Sequence, residues 1–526
     1  MGRFTVRRGM AVIAVLSPLF ATAPAVRADL APQFRADSVL SGSNGAEPSI
    51  AIDTSPTAGR NDIYVSAISP GANLWHSYDG GQTWSTAVPF DTAGTARGSD
   101  ADVSVSDNGT VVVADLNIAY TQVQTSTDHG LTFSAGALAK TTPESDRPWL
   151  TSGTGANVFV SYHDFAGETI QVCPSTDLGS TFLPCRVAEG PNDPTIAANC
   201  AENTDISKSM RIDPIDGSLN IVFSCSTTAQ NAGTPPYGPV TNYYISKSID
   251  GGITWSSYPM FAADTSGGKK PTVSNFWTSF AIDGAGNYYA LMDGTYDDNN
   301  VAMNPYHVFL LTSTNHGVSW STPKIVDHEV DGKGTHVLSD IAVSAAGQAD
   351  IVWYGTTATG EPNGICGDTA AQGPCPNGEG LPIDTAAGAP PWKVTMAQTF
   401  DALDATPSFT QVPVTAEITH YGEVCTNGLV CGQSDRSLLD YIGIALDCSG
   451  NAHVAFAANP TESTGGATTA READQVGGTT IAPPAACSVP VGAQVPESPS
   501  IPLLPVAGAG IIVAAGIRRL HPSRWV

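Results

Sequence analysis

One eight-residue pattern recurs five times in this chain and limits its fold more than any other feature. It reads SYDGGQTW at 77–84, STDHGLTF at 126–133, STDLGSTF at 175–182, SIDGGITW at 248–255 and STNHGVSW at 313–320. Asp and Ser at this spacing satisfy the backbone amides of a tight loop, and Gly supplies the positive φ that such a loop needs. Each copy therefore predicts a turn between two strands, closed by an aromatic ring that buries against its neighbour: Trp84, Phe133, Phe182, Trp255 or Trp320. Turns repeated around a fold point in different directions. The acids Asp79, Asp128, Asp177 and Asp250 are accordingly expected to fasten turns, not to share a substrate.

Between these turns a second unit returns seven times: a short apolar strand with period-two alternation, a turn rich in Asp, Ser, Gly and Asn, and a second strand. The copies occupy 48–68, 102–116, 148–163, 209–225, 279–293, 340–355 and 441–457. In the first five, a third strand leads into the eight-residue turn and a fourth follows it. In the sixth copy the third strand is Trp392 to Gln398 and the turn has decayed to TFDALDATPSF; the seventh has no recognisable turn. A four-stranded antiparallel unit repeated in this way is too small to bury its own faces and packs radially against its neighbours. The expectation is an all-β chain forming a seven-bladed β-propeller, with six blades as the alternative. The missing outer strand of the last blade comes from 34–40 or from 476–481, and a terminal strand used in this way removes the exposed edges at the closure.

The eight-residue turn resembles the Asp box, or BNR repeat, of the sialidase superfamily and of other propellers such as the sortilin type. The turns and hairpins carry the resemblance over nearly all of 29–485. It implies that the turns lie away from the functional face. It also implies the sialidase site: three arginines on a substrate carboxylate, a Tyr nucleophile activated by Glu, and an Asp acid/base. The chain departs from that pattern at its start, where Ala46-Glu47-Pro48 stands in place of Arg-Ile-Pro and puts an acid where the first clamp arginine belongs.

Candidate chemistry lies where the chain enters each innermost strand, because those loops gather around the central channel. The positions are Glu47, Asp100 and Asp102, Asp146 with Arg147 and Trp149, Lys208, Trp277, His336 with Asp340, and Arg436 with Asp440 and Tyr441. A concave rim of carboxylates, cations and rings suits a sugar. Arg147 and Arg436 are the candidate clamp, with Arg211 as a third arginine. Tyr441 beside Asp440 imitates the nucleophile, and two carboxylates among Asp102, Asp146, Asp340 and Asp440 would serve as acid and base on a neutral glycan. The alternative is a non-catalytic propeller that binds protein. No cofactor and no metal site are expected: no CxxC pair occurs, and DGTYDDNN at 293–300 departs from EF-hand spacing.

The ends point to export. Residues 1–28 place Arg3, Arg7 and Arg8 before an apolar run and a small-residue site at Ala28, the layout of a signal peptide. Residues 486–500 read as a Pro-rich stalk. Residues 501–526 are an uncharged apolar run followed by Arg518 and Arg519, an expected membrane anchor that resembles a cell-surface sorting signal. Removing the seven arginines of the two ends takes the formal charge from −26 to −33, which excludes nucleic acid as a partner. The expected partner is an extracellular glycan or protein. Ten cysteines in an exported chain predict disulfides. A hairpin centred on Gly179 sets Cys173 opposite Cys185, and sequence proximity suggests Cys200 with Cys225, Cys366 with Cys375, Cys425 with Cys431 and, by remainder, Cys448 with Cys487.

Overall fold

The computed structural model describes residues 30–488 apart from internal stretches, the longest being 91–99, 190–201, 227–239, 263–270, 297–304, 363–388 and 427–434. These residues form seven antiparallel sheets of four main strands each. Their innermost strands touch in ring order, and the first, Ala46–Ile52, also meets the last, Gly443–Leu446. The seven-bladed expectation holds and the six-bladed alternative falls. All seven predicted hairpins pair as read, for example Ser49 with Ser66 in blade 1 and Gly443 with Ala455 in blade 7.

The ring closes through the N-terminal segment. Gln33–Phe34 and Ser38–Val39 both pair with the third strand of blade 7, Thr469–Gly477, so the first of the two expected closures is the one used. Arg35 meets Asp474 at 3.2 Å and Arg471 meets Asp37 at 2.7 Å across this seam. An outer strand supplied from the far end of the chain makes the final blade depend on the first residues of the body, and it covers the edge that Thr469–Gly477 would otherwise expose.

The recurring acids fasten turns. In blade 1, Asp79 accepts the Thr83 amide at 2.8 Å, the Thr83 hydroxyl at 2.6 Å and the Ser77 hydroxyl at 2.9 Å. Asp128, Asp177 and Asp250 repeat the set within their own blades, and Asn315 accepts the Ser319 amide while its Nδ2 donates to the Ser319 hydroxyl oxygen. These hydrogen bonds hold the Asp128 and Asp250 carboxyls at about 2. The residue before the turn glycine is also left-handed in all five turns, and in three of them it is not a glycine: His129, Leu178 and His316. Two of these residues gain a contact with the preceding blade: His129 Nδ1 lies 2.9 Å from Asp62, and His316 Nδ1 lies 2.6 Å from Asp213.

The sixth blade corrects the reading of a decayed turn. Asp401 there accepts the Ser408 amide and hydroxyl, each at 2.9 Å, and the Thr399 hydroxyl at 2.8 Å. The same carboxylate chemistry is kept across a longer loop.

Cys173 and Cys185 are joined as predicted from the hairpin, and Cys448 is joined to Cys487. In the chain-entropy account the shorter link is worth about 3 kcal/mol. Cys225 and Cys425 are disulfide-bonded as well. The other cysteines of the expected pairs, the signal peptide, most of the stalk and the apolar tail lie outside the described residues. Among the described residues no helix is long and apolar enough to cross a membrane.

Candidate functional site

Four of the seven innermost strands carry, within the strand or just ahead of it, a non-glycine residue with left-handed backbone: Glu47 (φ 49°), Arg147 (φ 53°), Leu338 (φ 58°) and Leu439 (φ 56°). In blades 1, 3 and 6 the register shifts there, so the residue sits on a bulge. Bulges re-aim a side chain, and left-handed backbone at a residue with a Cβ costs about 1–3 kcal/mol. Glu47 and Arg147 each precede a proline, Pro48 and Pro148, which narrows their allowed backbone further. Both are buried, at 3% and 8% exposure. The strained positions in blades 1 and 3 therefore hold ionisable side chains inside the rim, whereas blades 6 and 7 hold leucines.

These two residues meet others from blades 2, 3 and 7. Arg147 places Nη1 3.5 Å from Asp146 and Nη2 3.4 Å from Asp440. Arg436 forks the same Asp440 carboxylate, Nη1 to Oδ1 at 3.0 Å and Nη2 to Oδ2 at 2.8 Å, the bidentate geometry that guanidinium favours. The Arg147 amide donates to Asp100 Oδ2 at 3.0 Å. Asp100 in turn hydrogen-bonds with Asp146 and Glu47.

Removal from water pushes the Asp100 carboxyl up to about 7, and the neighbouring Asp146 carboxylate adds to the rise against the pull of Arg147. Glu47 is driven well above the usual carboxylate range, first by burial and then by Asp100 and Asp440, with Arg436 and Arg147 opposing. Carboxyls this close share protons as a unit. Asp100 can give or take a proton at neutral pH, the property general acid/base work requires.

An aromatic floor completes the cluster. Trp149 and Tyr441 meet edge to face with ring centroids 4.6 Å apart. Burial drives the Tyr441 phenol well above its ordinary value, so it stays protonated at neutral pH. Two buried polar atoms at this site, Glu47 Oε2 and Trp149 Nε1, have no hydrogen-bond partner among the described residues. Buried polar atoms left in this way are costly unless something completes them.

The structure thus brings together Asp146, Arg147, Arg436, Asp440 and Tyr441 from the residues singled out in the sequence. It places Asp102 and Asp340 differently. Asp102 accepts the Ser49 hydroxyl from blade 1 and the Leu150 amide of blade 3 at 2.7 Å. Asp340 accepts the Ser279 hydroxyl from blade 5 and the Ile444 amide of blade 7 at 3.0 Å. Each stitches its own innermost strand to both neighbours. Arg211 lies in the field of Asp340 and Asp102, whereas Arg147 and Arg436 meet on Asp440. Lys208 and Trp277 lie outside the described residues.

Glu47 and Asp100 belong to the cluster although neither figured among the candidate catalytic groups. Their signal in the sequence was position alone: an acid directly before an innermost strand, and for Glu47 a proline after it.

No family model matches the chain, and no curated protein matches it. Solved structures similar to it include a protein of unknown function from Dyadobacter fermentans, 12% identical with a TM-score of 0.44, covering 84% of this chain and 98% of that one. An ulvan lyase of a polysaccharide lyase family is 10% identical with a TM-score of 0.43, covering 80% of this chain and 93% of its own. The intramolecular trans-sialidase of Ruminococcus gnavus is 11% identical with a TM-score of 0.34, covering 87% and 97%. At these identities the likeness concerns the fold, and the chemistry of the rim rests on this chain's own residues.

Proposed function

We propose that the protein is an exported, envelope-anchored propeller whose rim recognises a neutral extracellular glycan. The observation that carries this reading is the buried cluster of Glu47, Asp100, Asp146, Arg147, Arg436 and Asp440, with Glu47 and Arg147 on left-handed backbone and Glu47 Oε2 without a partner among the described residues. Four acids surround two arginines, and both arginines already bind Asp440. No surplus positive charge is left for a sugar carboxylate, which a sialoside-type ligand would require. Sugar hydroxyls both donate and accept, so they suit a rim that offers carboxylate acceptors, guanidinium donors and an indole N–H together.

Asp100 and Asp146 share a hydrogen bond, whereas two-carboxylate glycosidases hold their acids about 5 Å or more apart. The reading is accordingly recognition, with Asp100 as a proton-holding member of the site.

A glycan array probed with the exported body, together with a panel of fluorogenic glycosides, tests the proposal. Neutral glycans are expected to bind, Glu47→Gln and Arg436→Ala to weaken binding at least about tenfold, and the sialoside to remain uncleaved. Cleavage of the sialoside would overturn the charge argument. An empty array, or wild-type binding by both variants, would overturn glycan recognition in favour of a protein ligand.

The anchor has its own test. Ending the chain after residue 500 removes the apolar run and Arg518 and Arg519, and the shortened protein is expected in the medium while the full chain stays with the envelope. Equal distribution of the two would remove the anchor.

A further inference from the structure

Away from the carboxyl cluster, three donor atoms from the seam between blades 5 and 6 converge on one point. His307 opens the third strand of blade 5, Asp327 follows that blade's outer strand, and His336 lies in the first strand of blade 6. His307 Nδ1 is 2.8 Å and His336 Nδ1 is 2.5 Å from the same oxygen, Asp327 Oδ2. One ligand atom from each residue lies within 4.8 Å of the other two. We propose that His307, Asp327 and His336 bind a single zinc-class divalent cation that ties blade 5 to blade 6. The proposal is independent of what the rim recognises.

The donor set is chemically specific. Two imidazoles and one carboxylate, with no thiolate, are ligands for zinc and its first-row neighbours, and three protein ligands leave a fourth tetrahedral position for water. Bonds of about 2.0–2.2 Å in a tetrahedron set donor atoms about 3.4 Å apart. Each imidazole Nδ1 here needs to part from Asp327 Oδ2 by under about 1 Å to reach that spacing.

The surroundings hold these groups in place. Asp327 Oδ1 accepts the Val308 amide at 2.7 Å, an outer contact that fixes the carboxylate so that Oδ2 faces both rings. The His336 ring is seated against two glycines. A Cβ on Gly355 would stand 2.8 Å from its Cδ2, and one on Gly334 would stand 3.0 Å from its Nε2. Side-chain exposure is 0% at Asp327, 2% at His336 and 10% at His307, so His307 is the least enclosed of the three. The strongly negative body concentrates cations around it.

Two imidazole N–H groups donating to one carboxylate oxygen would satisfy the same distances with protons alone, and the experiment separates the two cases. The exported protein is stripped with chelator and titrated with zinc by calorimetry, and with cobalt(II) by visible absorption. About one equivalent of zinc is expected, with visible cobalt bands of a low-symmetry nitrogen and oxygen site. His307→Ala and His336→Ala should each weaken zinc at least about 100-fold, and His129→Ala should leave it unchanged. Zinc should raise the melting temperature of the wild type and not of the two ligand variants. Absence of binding, absence of cobalt bands, or unchanged affinity in both ligand variants would overturn the site. If those variants do not fold, the wild-type stoichiometry and cobalt spectrum decide.

Discussion

The melting temperature is expected to be highest near pH 4 and to fall by about 5 °C as the pH is raised to 8. Burial pushes Asp293 and Asp350 up to about 7, and Asp100 reaches the same value with help from Asp146. The unfolded chain titrates these groups near 3.9, so the folded state holds their protons more tightly. Their contribution to stability is complete below about pH 4 and is lost as the pH rises through about 7. His453 extends the loss. Burial alone would lower it, but hydrogen bonds to Asp447 and Glu472 outweigh burial and raise it to about 9, so its contribution is in place below about 6.5 and disappears through about 9.

The acid limb runs the other way. Hydrogen bonds from Thr132 and Thr254 hold Asp128 and Asp250 near 2, and the stability they add above about pH 4 is lost as the pH drops through about 2. A maximum between the two limbs follows.

Its height can be bounded. A rise of about 3 units is worth up to about 4 kcal/mol for each acid, and relaxation of the surroundings takes back about half. Asp293 and Asp350, both fully buried, then account for about 4–5 kcal/mol. Unfolding entropy of about 2.1 cal/mol/K per residue over roughly 450 residues converts this at about 1 °C per kcal/mol.

Asp350 is the sharper probe. Its Oδ1 accepts Gln398 at 3.0 Å, and its Oδ2 has no partner among the described residues. Asp350→Asn should therefore match the wild type near pH 4 and melt higher at pH 8, because no charge is then forced into the core. Scanning calorimetry across this range decides. A melting temperature that is flat or rising from pH 5 to 8 would show that these carboxyls do not hold their protons in the folded chain.

The fold was legible because its signals are local. A turn that needs Ser, Asp, Gly and Thr within eight residues writes itself into eight residues, and a hairpin centred on Gly179 sets Cys173 against Cys185. Legibility ended where spacing stretched. Asp401 does the work of the other turn acids through Ser408, seven residues on instead of four, so a fixed pattern passes over it. It also ended where partners are remote: the pairing of Phe34 with Gln475 leaves no local mark, and two closing segments stayed open until the ring was seen.

The rim shows the same division. Residue type and the entrance to an innermost strand picked out Asp102, Asp146, Asp340 and Asp440 alike, yet Asp102 and Asp340 reach sideways to neighbouring blades while Asp146 and Asp440 reach Arg147. The bulges at Glu47 and Arg147 set which way these side chains turn, and only a following proline hints at them in sequence. His307, Asp327 and His336 match no ligand spacing, because their contact is made by the packing of one blade on the next.

Arg147→Ala is expected to destabilise the protein by about 3–5 kcal/mol at pH 8 and by clearly less at pH 5. The guanidinium stands between Asp146 and Asp440, in the field of Asp100 and Glu47, and Arg436 is already committed to Asp440. Without it, buried carboxylates face one another uncompensated, and the chain must either unfold or take up protons. Lower pH supplies those protons, so the penalty shrinks. Backbone strain gives a second handle: alanine keeps the left-handed conformation of φ 53°, whereas Arg147→Gly relieves it and should lose about 1 kcal/mol less, although both remove the same charge. Asp440→Asn in the Arg147→Ala background should recover part of the loss, a coupling of about 1–3 kcal/mol for groups in contact. Denaturant titrations of the wild type, these three variants and Asp440→Asn alone at both pH values measure each difference. A loss at Arg147→Ala under about 1 kcal/mol, or one that does not change with pH, would mean that the arginine does not neutralise the rim, and the charge argument for a neutral ligand would go with it.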